Sequence, residues 1–242
     1  MVMASHEKLT IWDGDLTATI DPNGAWLQTF TSGSRPILFH RQSVTAPDGS
    51  QKVRGGSHVC LPNFGPGGDS GLKQHGFGRD EPWEVSYKDG RRAVVLEHRK
   101  SEGDYADLVS RLRYAVGNNS LLMELSLHNF GESELRVAPG FHPYFMAEPT
   151  DPVSINGVLQ NRAELNPAIM LEEQPTHVQI GSTALTLYSE NLPKWVAWTD
   201  QLGEYVCLEP TFAGASFEHP VDPTELLAPG KSSSYALSIA IS

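Results

Sequence analysis

Short runs in which apolar and polar residues alternate recur along the chain, separated by glycine, proline, asparagine and aspartate. A period of two places successive side chains on opposite faces of a strand, so each run predicts a β-strand with one buried face. The predicted strands are ATIDP, AWLQTF, WEVSYK, AVVLEHR, DLVSRLRYAV, SLLMELSLHN, LRVAPGFH, ALTLYS, WVAWT, YVCLEP and YALSIAIS. The pattern predicts a large antiparallel β-protein.

Turn and helix signals agree with this prediction. The segment 115–122, AVGNNSLL, places Gly-Asn-Asn-Ser between two predicted strands, which is typical of a hairpin turn. Helical periodicity is weak, and its best candidate, NRAELNPAIMLEEQ, contains Pro167, which ends or kinks a helix. We therefore expect short helical turns at most.

One long stretch departs from the strand pattern. Residues 54–83, RGGSHVCLPNFGPGGDSGLKQHGFGRDEPW, are dense in glycine and proline and also hold histidine, arginine, aspartate and tryptophan. Long structured loops of this kind often carry function. No repeat, charge block or linker divides the sequence, so we predict one domain over residues 1–242.

Composition narrows the class of protein. A formal net charge of −11 gives no general electrostatic reason to bind nucleic acid or an anionic membrane, so we expect neither as a partner. The N-terminal MVMASHEKLT lacks a signal-peptide pattern, and no apolar run approaches the roughly 20 residues of a membrane span. We predict a soluble, cytoplasmic protein in which Cys60 and Cys207, both in apolar segments, are reduced.

Three segments place ionisable groups among aromatic and apolar neighbours, where burial tunes the pKa of acids and bases. They are KQHGFGRD with His75 and Arg79, GFHPYF with His142, and YVCLEP with Glu209. Taken singly, each residue is more typical of a structural role, and Asp200 in WTDQ is typical of a turn. Together they favour acid–base chemistry.

In chain order these segments resemble the aldose 1-epimerase, or galactose mutarotase-like, family, and within it the hexose-6-phosphate mutarotases. RGGSHVCLPNFGP is similar to the family's Arg-Gly-Gly segment leading to Pro-x-Phe-Gly, and QHGFGRDEPWEV to its His-Gly-Phe-Ala-Arg segment. GFHPYF resembles its His-Pro-Tyr-Phe or His-Thr-Tyr-Phe segment, and YVCLEP its Val-Cys-(Val/Ile)-Glu-Pro segment. Gly78 stands where alanine is usual, and Ser57-His58 where the family often has Ile-Pro.

The resemblance implies an all-β fold, the galactose mutarotase-like β-supersandwich of antiparallel strands, with a sugar cleft on one sheet face. It also implies an isomerase that interconverts the α and β anomers of a hexose or hexose 6-phosphate. A base removes the proton of the C1 hydroxyl while an acid protonates the ring oxygen, and the opened ring recloses as the other anomer. By resemblance Glu209 is the general base and His142 the general acid, and neither a metal nor an organic cofactor is required.

Further residues are assigned to the substrate by the same resemblance. His75 would hydrogen-bond the oxygen that develops charge, and Arg79 would add positive potential or anchor hydroxyl groups. Asp200 lies where a ligand of a sugar hydroxyl is expected, although with altered spacing. Phe64, Tyr144 and Trp198 would supply apolar faces for the sugar ring. As an alternative, these large aromatic residues belong to the core.

Arg54 bears on the choice of sugar, because it resembles the arginine that hexose-6-phosphate mutarotases use for the phosphate. With Arg79 and Lys73 it would offset the acidic net charge locally. As an alternative, Arg54 is a rim residue paired with Asp69 or Asp80. Phosphorylated and free hexoses therefore stay equally open.

Two other interpretations also stay open. A non-catalytic carbohydrate-binding or sugar-sensing module would share the fold, although the presence of both His142 and Glu209 argues against it. A metal-dependent β-barrel enzyme would gather His58, His75, His142 and Glu209 as ligands from distant strands. For both the mutarotase and the sugar-binding module, the expected partner is a sugar or sugar phosphate. We expect the protein to be a monomer or a homodimer.

Overall fold

A computed structural model describes residues 7–100, 102–218 and 224–242. The first six residues, part of the segment in which no signal peptide is predicted, lie outside these ranges. Two 3-10 helices, Gly68–Ser70 and Arg162–Leu165, interrupt a chain made of strands. The strands are β1 (Leu9–Asp13), β2 (Leu16–Asp21), β3 (Trp26–Ser32), β4 (Arg35–Pro36), β5 (Gln42–Thr45), β6 (Gln51–Arg54), β7 (Ser57–Cys60), β8 (Glu84–Asp89), β9 (Ala93–Arg99), β10 (Leu108–Gly117), β11 (Ser120–Asn129), β12 (Leu135–Val137), β13 (Gly140–Met146), β14 (Val153–Ile155), β15 (Val158–Leu159), β16 (Ile169–Leu171), β17 (His177–Ile180), β18 (Thr183–Glu190), β19 (Lys194–Trp198), β20 (Tyr205–Thr211), β21 (Glu225–Leu227) and β22 (Ser232–Ile241).

Two nine-stranded sheets form most of the described structure. In the first sheet the order is β1-β2-β3-β7-β13-β20-β19-β16, with β4 beside β3. In the second sheet it is β15-β14-β17-β18-β22-β11-β10-β9-β8. A continuous apolar cluster contributed by both sheets includes Phe30, Phe141, Leu121 and Leu237, as expected for two sheets packed face to face. The predicted antiparallel all-β architecture with short helical turns is confirmed.

The predicted hairpin is confirmed in detail. Strands β10 and β11 pair over ten positions, from Leu108 opposite Asn129 to Gly117 opposite Ser120. The two turn residues, Asn118 and Asn119, have φ of 50° and 57°. A two-residue turn with both φ values positive matches the twist of the paired strands, and asparagine tolerates this conformation better than most residues.

Two segments differ from the predicted elements for reasons that involve proline. LRVAPGFH was predicted as one strand, but it divides into β12 and β13, with Pro139 between them. Proline has no N–H for the ladder, and the two halves pair with different partners, β21 and the first sheet. In NRAELNPAIMLEEQ the 3-10 helix ends at Leu165, before Pro167, and β16 follows.

The stretch 54–83 is not a loop throughout, because it contains the fully buried strand β7 between β3 and β13. Its sequence, SHVC, lacks alternation since both of its faces are covered. The glycine pair before it permits this close approach: a Cβ on Gly56, whose φ is +66°, would lie 2.0 Å from the carbonyl oxygen of Leu27. In the segment that follows, Leu61 bridges Gly76 and Asn63 bridges Ala138 next to β13.

None of the described residues forms a helix that is long and apolar enough to cross a lipid bilayer.

Candidate active site

A cleft of about 310 Å3 lies over the central strands of the first sheet. It brings together residues from β6, β13, β19 and β20 and from the segment 61–83. Eight of the nine residues assigned above to acid–base chemistry or to the substrate line it, and Asp200 is not among them. The lining residues are Arg54, Phe64, Gly65, Gln74, His75, Arg79, His142, Tyr144, Ala168, Val196, Trp198 and Glu209.

A larger cleft, of about 790 Å3, lies beside β18 and β22. Its polar lining consists of serine hydroxyls, side-chain amides, Tyr235 and the carboxylate of Glu225. Glu225 accepts hydrogen bonds from the hydroxyls of Ser233 and Tyr235. None of the residues predicted for the site lines this cleft, and its lining contains no imidazole.

At the base of the smaller cleft, His142 on β13 meets Glu209 on β20. These strands are antiparallel neighbours, with Tyr144 opposite Cys207. Two positions along the same register, the His142 Nε2 and the Glu209 Oε2 lie 3.4 Å apart. The exposed fractions are only 4% for His142 and 3% for Glu209. Two rigid strands therefore hold an acid–base pair at contact distance.

Burial works against charge on both members of this pair. It raises the pKa of Glu209 well above its usual value. It also lowers the pKa of His142 well below the usual value, with further lowering by the nearby His75, Arg79 and Arg54. A neutral carboxyl and a neutral imidazole are favoured over a carboxylate and an imidazolium, so the pair shares one proton.

His75 is held as a neutral imidazole. Its Nδ1–H donates to the carbonyl of Phe64 over 2.5 Å, which leaves Nε2 as an acceptor. Burial, and then the charge of Arg79, lowers the pKa of His75 to about 3. The residue also has a φ of 67°, a conformation that costs a non-glycine residue about 1–3 kcal/mol. The position predicted from the sequence is therefore occupied by a strained, uncharged hydrogen-bond acceptor.

Arg79 is positioned by two contacts that the sequence did not reveal. Its Nη1 lies 3.3 Å from Nε2 of His58, and its Nη2 donates to the carbonyl of Gln74 at 3.3 Å. His58 is fully buried, with its ring centroid 4.9 Å from that of His142. Burial lowers the pKa of His58 well below its usual value, so a neutral ring accepts from the guanidinium. The signal available in the sequence was His58 itself, where the family often has proline.

Arg54 and Asp200 form an ion pair at the rim. The Nε of Arg54 donates to Oδ2 of Asp200 over 2.8 Å, and the guanidinium lies 5.4 Å from the ring centre of Trp198. The other carboxylate oxygen of Asp200 accepts from the hydroxyl of Tyr205. Asp200 therefore contacts an arginine that lines the cleft, while it is itself absent from the lining, and its role as a ligand of a sugar hydroxyl stays a prediction.

The alternative partners predicted for Arg54 are wrong. Asp80 pairs with Lys73 at 3.3 Å, and Asp69 lies 3.8 Å from Arg136. The ammonium group of Lys73 is exposed on the surface, and this residue does not line the cleft. Three cationic side chains were predicted to offset the acidic net charge near the substrate. Two of them, Arg54 and Arg79, line the cleft.

The aromatic residues predicted for the sugar ring have mixed surroundings. Tyr144 stacks on His142 with ring centroids 4.6 Å apart and an interplanar angle of 15°. Trp198 stands nearly perpendicular to His142, at 87° and 5.8 Å. Phe64 packs with Cys60 and Val196. All three aromatic residues both line the cleft and complete its packing.

The potential metal ligands differ from the predicted set. Within the part of the chain that the structure describes, ligand atoms of His142, Cys207 and Glu209 lie within 4.8 Å of one another. His58 instead contacts Arg79, and His75 donates to a carbonyl. The four-ligand arrangement predicted for a metal-dependent enzyme is therefore not the group that comes together.

Comparison with known proteins begins with a family model. The model described as "Aldose 1-epimerase" matches residues 7–168, more than half of the chain. His75, Arg79 and His142 lie inside this range, and Glu209 lies outside it.

One curated relative, from Escherichia coli K12, bears the name "Putative glucose-6-phosphate 1-epimerase". It is 31% identical over 134 residues, which is 52% of this chain and 44% of that protein. A Salmonella typhimurium protein of the same name is 30% identical over 113 residues, or 44% of this chain and 37% of its own. The matched part of this chain spans less than half the length of each of these curated relatives.

Solved structures match over nearly the whole chain. A galactose mutarotase-like protein from Lactobacillus casei has a TM-score of 0.77 at 16% identity, covering 98% of this chain and 100% of that one. A galactose mutarotase related enzyme from Lactobacillus acidophilus has a TM-score of 0.74 at 17% identity, covering 98% and 97%. The predicted galactose mutarotase-like fold is confirmed.

Proposed function

Because the chain belongs to the aldose 1-epimerase family, we propose that it is an isomerase that interconverts the α and β anomers of a hexose or hexose 6-phosphate. One observation carries the proposal: the buried His142 and Glu209 side chains meet at 3.4 Å at the base of the cleft. This pair supplies an acid and a base at one point, which ring opening requires.

The chemistry balances with one shared proton. As the bond between C1 and the ring oxygen breaks, Glu209 takes the proton of the C1 hydroxyl and His142 gives a proton to the ring oxygen. The raised pKa of Glu209 makes its carboxylate a stronger base, and the lowered pKa of His142 makes its imidazolium a stronger acid. After rotation about the C1–C2 bond, the two groups exchange roles and the ring closes as the other anomer.

His75 and Arg79 act on the sugar in different ways during this transfer. Neutral His75 accepts a hydrogen bond from a sugar hydroxyl through Nε2, while the guanidinium of Arg79 stabilises negative charge on oxygen. Both residues line the cleft beside the acid–base pair. Their fixed contacts, to Phe64 and His58 respectively, mean that little reorganisation is needed during the reaction.

We favour an anionic sugar, a hexose 6-phosphate, over a free hexose. Two guanidinium groups, of Arg54 and Arg79, line the cleft. The raised pKa of Glu209 favours its neutral carboxyl form, which does not offset their positive charge. Asp200 compensates one of these two positive charges. The remaining positive charge suits a phosphate, and the cleft volume lies at the small end of ligand sites, as expected for a single sugar.

The test is anomer exchange measured by NMR on glucose, galactose and glucose 6-phosphate, always against the spontaneous rate. We expect the full chain to accelerate exchange, most strongly for the phosphorylated sugar, and Glu209→Gln and His142→Asn to return the rate to background. Asp80→Asn is the matched control, because Asp80 lies in the same segment and pairs on the surface with Lys73. If no sugar exchanges faster than background while binding persists, the cleft belongs to a sugar-binding module and the proposal is wrong.

A further inference from the structure

A third group lies beside the acid–base pair, and the acid–base chemistry does not use it. Cys207 lies two residues before Glu209 on β20 and so projects from the same face of the strand. Its sulfur, a nitrogen of His142 and a carboxyl oxygen of Glu209 lie within 4.8 Å of one another, and all three residues are buried. We propose that these three side chains bind a zinc-type transition-metal ion, which competes with the sugar and inhibits the enzyme.

The geometry suits such an ion. Zinc binds imidazole nitrogen and carboxylate oxygen at about 2.0–2.2 Å in a tetrahedral arrangement, which places two such ligand atoms about 3.4 Å apart. The observed separation of His142 Nε2 and Glu209 Oε2 is 3.4 Å. The thiolate of Cys207 completes three protein ligands and leaves a fourth position of the tetrahedron for water.

The donor set also selects the kind of ion. Imidazole, thiolate and a single carboxylate suit Zn2+ and Cu2+, whereas Mg2+ and Ca2+ prefer sets made of oxygen. On binding, one divalent ion replaces the protons of the Cys207 thiol and the Glu209 carboxyl. Two protons leave and the net charge of the site is unchanged, so the nearby guanidinium of Arg79 meets no additional positive charge.

Binding of the ion would block catalysis for a direct reason. The ion binds the Glu209 oxygen that would take the proton of the C1 hydroxyl and the His142 nitrogen that would carry the proton for the ring oxygen. The inhibition rests on the proposed function, but the metal site itself does not.

The chain offers a matched pair of thiols for the test. Cys60 is also fully buried and lies near the cleft, 3.4 Å from Nδ1 of His75, but it is outside the three-ligand group. Zn2+ is titrated calorimetrically into the metal-free full chain and into Cys207→Ser and Cys60→Ser. Co2+ is bound in parallel, because a thiolate ligand gives cobalt a charge-transfer absorption band.

We expect wild type and Cys60→Ser to bind one Zn2+ per chain and to show the thiolate band with Co2+. Cys207→Ser should lose the band and bind at least about tenfold more weakly, since removal even of a group that supports a ligand costs 10- to 100-fold. Zn2+ should inhibit anomer exchange in wild type and Cys60→Ser, and the sugar should weaken Zn2+ binding.

The proposal is overturned if wild type binds no stoichiometric Zn2+, if cobalt shows no thiolate band, or if Cys207→Ser binds as tightly as wild type. Should Cys207→Ser fail to fold by circular dichroism, Glu209→Gln tests the same site through a different ligand and must also weaken binding. Because these binding measurements involve no turnover, a chain that binds Zn2+ as expected but exchanges no sugar would contradict the proposed function and leave the metal site standing.

Discussion

The two large sheets are both antiparallel, yet their strands are buried in different ways. In the second sheet, β11 alternates strictly between partly buried and buried residues, and most of β22 does the same. In the first sheet, every residue of β7 and β20 is buried, as are six of seven in β13. The second sheet thus covers the core with one face and meets solvent with the other. The central strands of the first sheet are covered on both faces.

The difference shows where the chemistry lies. The second face of the central strands carries the buried polar groups His58, His142 and Glu209, which contribute little as core residues. Buried ionisable groups normally cost stability unless they are paired and hydrogen-bonded. We infer that the second sheet serves mainly stability and that the covered face of the first sheet serves the reaction.

The largest expected effect on the second sheet comes from Leu237→Ala on β22. Leu237 is fully buried in the core shared by both sheets. Its truncation should lower the free energy of unfolding by about 2–5 kcal/mol, measured by urea denaturation. Anomer exchange per folded molecule should not change, because Leu237 is not part of the cleft lining. A specific loss of exchange in the fully folded variant would break the division between the sheets.

On the covered face of the first sheet, His58 offers a sharper test. His58→Leu removes the acceptor for Arg79 and should lower kcat/KM for anomer exchange by about 10- to 100-fold, because small misplacements of a catalytic group are costly. His58→Gln retains an acceptor oxygen and should recover most of this loss. If both variants lose the same activity, His58 acts only through packing, and the positioning role is wrong.

The pH dependence of stability should also report on this face. The pKa of His75 falls from 6.5 to about 3 on folding, so its contribution to stability is full above pH 6.5 and is lost as the pH falls towards 3. At pH 5 this loss should be about 2 kcal/mol in urea denaturation. His75→Asn should remove that part of the pH dependence. An unchanged pH profile in the variant would show that His75 titrates normally.

The smallest effect is expected in the hairpin of the second sheet. Asn119→Ala should cost about 1–2 kcal/mol of unfolding free energy, because alanine tolerates a φ of 57° poorly and loses the bond from the side-chain amide to Ile241. Asn119→Gly should cost less, since glycine accepts positive φ. Both variants lose the side-chain bond, so only the backbone conformation separates them, and thermal unfolding checks this order. Equal losses in the two variants would show that the positive φ carries no cost here.

The same contrast explains what the sequence could predict. Alternation identified YALSIAIS and SLLMELSLHN, which became β22 and β11, because each has one face in the core. It missed β7, whose SHVC has two covered faces and therefore no period. It also merged β12 with β13, since the apolar pattern continues across the proline that separates them.

For the site, three of the quoted motifs led to His75, Arg79, His142 and Glu209, and the structure brings all four residues into one cleft. Gln74 was not selected, because it holds Arg79 through its backbone carbonyl, which its side chain does not reveal. Cys207 was not selected, because it meets His142 and Glu209 only when the strands fold. The pairing of Arg54 with Asp200 joins residues 146 positions apart, and no local pattern encodes it.

The central claim is that the buried acid–base pair is kept for chemistry at the expense of stability, and Glu209→Gln tests it most directly. Burial raises the pKa of Glu209, so its stabilising contribution is present below the unfolded pKa and is lost as the pH rises through the folded value. Glutamine has no such loss. At pH 7 we predict that anomer exchange falls by about 10²- to 10⁴-fold while the thermal midpoint stays equal or rises. Retained exchange, or a strongly lowered midpoint, would contradict the account.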